Sequence, residues 1–323
     1  MMVRSKKGFT LVELMVVMAI IGILAAALIT PISNIRQTAR SVRCKTNLRN
    51  LAQAAHTFAG EGEGERRRLP AAGTYERLAD VGRESDGRLQ YTVHTGWVTG
   101  YNEGGVLRWP VYGTPQLARG NDERASYPFF GDSRAVHQAI TNGVLWKYVG
   151  GDLSTYVCDE HKAVAKRAGC KNVLRSYVMN AYFGCNFATE PKDSLIPHDR
   201  EWSREISHLA SGKASLMLLF AELPAYDAAG KESVDTGAGK TDGVLDTLIP
   251  GFNRPGTEEM IGFNHRLVKR RIAHVVFVDG HVDAIVAPDN ASDSDLKDLT
   301  ALLCNGLEVS ADMSDWTKDR PKK

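Results

Sequence analysis

Two stretches of this sequence carry residue types and spacings that chemistry uses. The first is CDEHKAVAKRAGC, which places Cys158, His161 and Cys170 close together. Thiolate and imidazole are the ligands of structural zinc, but this spacing matches no common finger or ribbon. A disulfide suits the same stretch, because the loop between the cysteines is short and polar, and oxidising compartments favour disulfides. We take Cys158 with Cys170 as the leading pair, with Cys185 equally available on sequence grounds and Cys304 as the fourth cysteine beyond residue 74. Four cysteines allow three complete pairings, and sequence does not choose among them. Cys44 is left over and reads as a small apolar residue on a helix.

The second stretch is AHVVFVDGHVDAIV, where Asp279, His281 and Asp283 alternate and can face one side of a strand. His265 stands upstream of them. An Asp in a turn followed by surface polar residues is the commoner account of such a pattern. DNASDSDLKDL offers carboxylates for calcium, but Asp and Ser before an apolar run are also ordinary helix caps. No nucleophile elbow, phosphate loop or zinc-protease helix occurs, so no catalytic residue, metal ligand or cofactor is assigned.

A single carboxylate at the other end of the chain is harder to place. In KKGFTLVELMVVMAIIGILAAALIT, everything from Phe9 to Ile29 is apolar except Thr10, Glu13 and glycine. About 21 residues rising about 1.5 Å each span the roughly 30 Å hydrocarbon layer. Arg4, Lys6 and Lys7 precede the run, which keeps the first residues cytoplasmic and exports the rest. The run is too long for a cleaved secretory signal, whose apolar region is about 7 to 15 residues. Glu13 within it costs about 2.5 to 3.5 kcal/mol if central, and less near the end, so it calls for a partner. No Lys, Arg or His occurs between Phe9 and Arg36, so a cationic partner must come from another molecule. Cutting the chain between Gly8 and Phe9 would create one, the new α-amino group of Phe9.

These residues resemble the class III signal of type IV pilins and of the pseudopilins of type II secretion systems. The resemblance implies that a prepilin peptidase cuts after Gly8 and methylates Phe9. It also implies that subunits wait in the inner membrane as single-pass proteins, leader inside and head outside. They would then assemble with other pilin or pseudopilin subunits and the assembly machinery into a helical filament. Glu13 would neutralise a neighbour's N-terminus during assembly. A second resemblance is carried by FNHRLVKRRIAHVVFVDGHV, which is similar to a processing-associated motif near the C-terminus of pilin-like proteins of planctomycetes. That motif sets a His before an Asp-Gly turn, which implies a motif role for His265, Asp279 and Gly280. The spacing here is longer than the motif's and requires an extended turn at RLVKRR.

The elements that position these residues follow from periodicity and breakers. Pro31 kinks the helix or starts a new turn. Beyond it, Ile32, Ile35, Ala39 and Val42 form one apolar row, and Cys44, Leu48, Leu51, Ala55 and Phe58 form another on a different face. The first row suits neighbouring subunits and the second packs beneath the head. Five basic residues from Arg36 to Arg49 read as a solvated face. GEGEGERRRLPAAG breaks the pattern as a linker.

From Thr74 onward, short apolar or alternating stretches read as strands and loops, with a helix over SRAVHQAITNGVLWKYV and a hairpin around Asp279-Gly280. Residues 224–262, rich in Gly, Asp, Thr and Pro, read as a long exposed loop. The expected organisation is therefore a leader at 1–8, a transmembrane and filament-core helix at 9–30, its amphipathic continuation at 31–59, a linker at 60–73 and an exported head at 74–323. The fold class is α+β, a long N-terminal helix packed on a β-rich antiparallel head. Forty basic against thirty-eight acidic residues give no reason to expect nucleic acid. The expected function is a structural subunit, not an enzyme. The alternative is a membrane-anchored extracytoplasmic enzyme or binding domain built on His265, Asp279 and His281.

Overall fold

The computed structural model describes residues 10–61, 68–72, 75–77, 91–93, 96–98, 101–103, 106–108, 140–167, 175–180, 183, 214–232, 244–245, 259–267 and 270–304, without side chains at 25–34, 75–77, 91–93, 101–103, 106–108 and 244. Helix α1 runs without interruption from Leu11 to Gly60, through Pro31. Two compact units divide within it, one of residues 1–42 and one of residues 43–323.

In the first unit, large apolar side chains from Leu11 to Leu24 are exposed, as are Ile35 and Val42. Phe9 and the side chains at 25–34 lie outside the described set, so the run from Phe9 to Ile29 is only partly covered. Among the described residues no helix is long and apolar enough to cross a membrane.

The second unit is the α+β head. Its main sheet has the order β10-β9-β6-β5-β7, from β5 (Tyr177–Asn180), β6 (Leu218–Glu222), β7 (Val244–Leu245), β9 (Arg270–Phe277) and β10 (Val282–Val286). A short strand, β8 (His265–Leu267), pairs with the start of β9. All pairings in this sheet are antiparallel except β5 with β7. Two further sheets are two-stranded and antiparallel, β1 (Tyr75–Arg77) with β2 (Tyr91–Val93) and β3 (Tyr101–Glu103) with β4 (Val106–Arg108). A 3-10 turn at Leu153–Tyr156 leads into α2 (Asp159–Arg167), and α3 (Asp293–Cys304) closes the described chain.

The second apolar row of α1 supplies the core of this unit. Cys44, Leu48, Leu51 and Ala55 are buried in one cluster with Tyr177, Phe220 and Val276, and Phe58 packs against its edge. Each fully buried leucine contributes about 1.5 to 3 kcal/mol of transfer free energy. Polar ties fix the helix as well. Asn47 donates to the carbonyls of Ser154 and Val157, and His56 Nε2 lies 2.7 Å from the Val278 carbonyl.

Three expectations are corrected at their edges. The far end of the linker is core, with Leu69, Ala71 and Ala72 buried. Leu223, Ala225, Met260 and Ile261 are also buried, and Val244–Leu245 form β7 with Leu245 buried, so 224–262 is held in the core at both ends and at a strand between them. The helix expected over 133–149 gives way, in its described part, to turns after residue 141.

β6 and β8 lie end to end along one edge of β9. Leu218 pairs with Phe277 and Ala221 with Val275, whereas His265 pairs with Ile272. The chain leaves β6 at Glu222 and returns to the same edge at His265. Gly262 permits this return. Its N–H donates to the Glu222 carbonyl at 2.7 Å, and a Cβ there would stand 2.2 Å from the Leu223 carbonyl oxygen. Gly262→Ala should therefore cost about 1 to 3 kcal/mol, the usual range for overpacking. Gly60→Ala, whose Cβ meets nothing within 4 Å, should be neutral or stabilising by up to about 1 kcal/mol. Denaturant unfolding of the two variants beside wild type checks the contrast.

Candidate metal centre

The end-to-end placement of β6 and β8 brings Glu222 and His265 together. Glu222 pairs across the sheet with Tyr177, so both project from the same face. Over that face lies α1, carrying Cys44, and beside it the start of α2, carrying Cys158. Cys158 caps α2: its carbonyl accepts from Lys162 N–H, and its side chain sits where a helix N-terminus favours a thiolate. Arg43 and Asp159, in an ion pair at 3.1 Å, hold the two helices together next to the cysteines.

Four donors converge there. Cys44 Sγ donates to Glu222 Oε1 at 2.6 Å, His265 Nε2 is 3.2 Å from the same oxygen, and Cys158 Sγ is 3.4 Å from His265 Nε2. The ligating atoms of Cys44, Cys158, Glu222 and His265 all lie within 4.8 Å of one another. None of these residues is more than 4% exposed.

Further side chains orient the donors. Asn264 donates to Glu222 Oε2 at 2.8 Å and is itself held by the N–H of Ala225 on its Oδ1. Tyr177 donates its hydroxyl to Cys44 Sγ at 3.4 Å. The His274 ring packs on that of His265 with centroids 4.7 Å apart.

Electrostatics bind the cluster. Burial alone would push the Glu222 carboxyl up, but a protonated His265 beside it and the hydrogen bonds it accepts hold it well below the usual range. The reverse applies to His265, where burial opposes the charge and Glu222 and Cys158 outweigh it, so its pKa rises. The Cys44 thiol is pushed up by burial, by its hydrogen bond with Cys158 and by the Glu222 charge. Burial also acts against a Cys158 thiolate, yet the hydrogen bonds with Cys44 and His265 bring its pKa below the ordinary value. Chemically this is a sulfur, nitrogen and oxygen donor set of the kind that holds zinc. It is closed to solvent, which suits a structural ion or a buried polar lock better than turnover.

The residues expected to matter are distributed differently. Cys158 is a free, buried thiol and Cys304 is buried, while Cys170 and Cys185, the partners offered to them, lie outside the described residues. His161 does not join Cys158; its Nδ1 is 3.0 Å from Ser176 Oγ. His265 does not meet Asp279 and His281. Those two pair with each other at the exposed hairpin turn, at 2.5 Å, with the His281 ring stacked on Phe277 and Gly280 at a φ of +88°. Asp283 Oδ1 accepts from the adjacent Ala284 N–H. Within RLVKRR, Arg266 pairs with Arg271 and Leu267 with Arg270. In DNASDSDLKDL, Ser292 and Asp295 exchange hydrogen bonds as a cap at the start of α3, Asp293 accepts from Ala228 N–H, and Asp289 pairs with Arg270.

Glu222, and the use made of Cys44, were not expected. Cys44 stands 178 residues from Glu222, and Cys158 stands 107 from His265, so no local spacing betrays the cluster. The only signal is an acid ending the apolar strand LLFAE.

Glu13 has a nearer partner than a foreign cation. Its Oε2 accepts from Thr10 N–H at 2.8 Å and from the Thr10 hydroxyl at 2.7 Å, while Glu13 N–H donates back to Thr10 Oγ1. This is a capping box at the start of α1. Gly8 and Phe9 lie outside the described residues.

Residues 3–29 match the prokaryotic N-terminal methylation motif. The match implies processing by a prepilin peptidase and a membrane-associated or secreted, pilin-like protein. It ends far from the segment of His265 and Asp279. No curated protein and no solved structure matches the chain.

Burial holds His161 neutral, with its pKa lowered from 6.5 to about 4. The unfolded chain takes up this proton near 6.5, the folded one only near 4, so acidification between those values favours unfolding. His161→Gln, which can still meet Ser176, should remove up to about 3 kcal/mol of the stability lost across that interval. Denaturant melts at both ends of it check the slope.

Proposed function

We propose that the chain is a structural subunit of a type IV pilus or type II secretion type filament, cut after Gly8, methylated on Phe9 and assembled through α1. The observation that carries this is the methylation motif over residues 3–29. The exposed apolar side chains of the first unit support it. Such a helix needs an apolar surrounding, which a bilayer provides before assembly and packed neighbouring helices provide after it. The proposed partners are prepilin peptidase, like subunits and the inner-membrane assembly machinery. No enzymatic role is proposed: His265, Asp279 and His281, the cluster on which an anchored enzyme would rest, are divided between a buried site and an exposed turn.

Glu13 is proposed to serve assembly by meeting the α-amino group of a neighbour's Phe9. The capping box gives the same residue a purely local role, and one substitution separates the two. Glu13→Gln keeps the capping hydrogen bonds, since Gln serves in capping boxes as Glu does, but removes the charge. The assembly role predicts normal cleavage and membrane insertion for Glu13→Gln with loss from sheared filaments, because an unpaired buried ammonium costs about 3 to 5 kcal/mol. Wild-type recovery in filaments would leave Glu13 only its capping role.

Processing is checked on its own by mass spectrometry of the native N-terminus. N-methyl-Phe9 is expected, and Gly8→Val should accumulate as uncut precursor. A native N-terminus other than residue 9, an intact Met1 included, would overturn the cleavage assignment.

A further inference from the structure

We propose that Cys44, Cys158, Glu222 and His265 bind one zinc ion in a closed structural site that fastens α1 to the sheet. Three of the donor–donor edges are 3.4 Å or shorter, and all the donor atoms lie within 4.8 Å of one another. With zinc–sulfur distances of about 2.3 Å and zinc–nitrogen or zinc–oxygen distances of about 2.0 to 2.2 Å, tetrahedral ligands stand roughly 3.3 to 3.8 Å apart. Cys158 to His265 at 3.4 Å and His265 to Glu222 at 3.2 Å are already near such edges. Cys44 to Glu222, at 2.6 Å, would have to open by about 1 Å to admit the ion.

The donor chemistry selects the metal. Thiolate and imidazole are poor ligands for calcium or magnesium and suit zinc. Four protein ligands with no exposed face leave no open coordination position, the arrangement of a structural ion. Two thiolates and a carboxylate outweigh the charge of the dication by one, and the Tyr177 hydroxyl and Asn264 amide, donating to Cys44 Sγ and Glu222 Oε2, spread that excess. Binding releases the protons of the thiols, and that of His265 where present, to solvent.

A Cys44–Cys158 disulfide is the rival, since both thiols are buried side by side and the head is proposed to be exported. It would use two of the four donors and take away the thiol hydrogen that Glu222 Oε1 now accepts. Zinc uses all four donors and gives the carboxylate its counter-charge. The proposal does not depend on how the N-terminus is processed.

The test is metal analysis of the full-length chain purified from membranes in detergent without added oxidant or chelator. One zinc per chain is expected. Exchange for cobalt(II) should give the visible bands of a tetrahedral site together with thiolate-to-cobalt charge transfer. Cys158→Ser and His265→Ala should each lower zinc content at least about tenfold, while Cys304→Ser, a buried thiol outside the cluster, should retain it. Stripping zinc from the wild-type chain should lower its thermal midpoint by roughly 5 to 10 °C, restored on adding zinc back. Wild-type protein without zinc and with Cys44 disulfide-bonded to Cys158 would overturn the proposal. So would zinc retained in both Cys158→Ser and His265→Ala, or a cobalt adduct lacking thiolate bands.

Discussion

A carboxylate sealed from water at the end of β6 sets the terms for the head. An ionised Glu222 in that position is tolerable only with opposite charge and hydrogen-bond donors on both oxygens. The sheet supplies His265 by returning the chain to the same edge of β9, and Asn264 by the residue before it. α1 supplies Cys44. Three segments far apart in sequence must therefore be in register before the charge is compensated, and a helix displaced by one turn would leave Oε1 without its thiol. Hydrophobic burial of Leu48 and Leu51 favours adhesion of α1 to the head, but it is not directional. The polar contacts of Cys44, Asn47 and His56 fix which turn of the helix meets which strand.

The two ends of α1 obey different rules, and the sequence shows it. The row of Cys44, Leu48, Leu51 and Ala55 is legible from spacing alone, because a 3.6-residue period selects one face and that face is the buried one. The final hairpin is legible for a similar reason: alternation flanks an Asp-Gly pair, and Gly280 takes the positive φ that such a turn requires. Glu13 is legible as an anomaly, since a charge in an apolar run has few explanations. Its capping bond with Thr10 is present in the sequence as Thr-x-x-Glu, but the cation it lacks draws attention away from the hydroxyl it has.

What sequence could not show is convergence. Cys158 invites pairing with its near neighbours His161 and Cys170, because local spacing is the only metric a sequence offers. Its actual neighbours come from the other end of the chain, through a sheet edge shared by β6 and β8. Glu222 looks like the polar end of a strand, a place where a solvent-facing acid is ordinary. Its burial follows from the long excursion that re-enters beside it, and that excursion closes only because Gly262 lets two backbones touch. Composition flags 224–262 as loop-forming, but composition shows neither that Val244–Leu245 join the main sheet nor where the ends of the segment are held.

The position of Cys44 gives the cluster its significance for the whole chain. The boundary between the two compact units falls after Val42, so Cys44 is among the first residues of α1 to belong to the head. If α1 is the element through which a filament is assembled, any pull along it enters the head at this turn. Apolar contacts yield gradually under such a load, because each slip of the helix exchanges one leucine contact for another. A thiol committed to Glu222 and Cys158, with Arg43 paired to Asp159 beside it, does not slip gradually: it holds or it breaks, and breaking exposes an uncompensated buried charge. Placing a fully buried carboxylate beside the first head residues of the helix thus turns a non-specific hydrophobic seat into a fixed one.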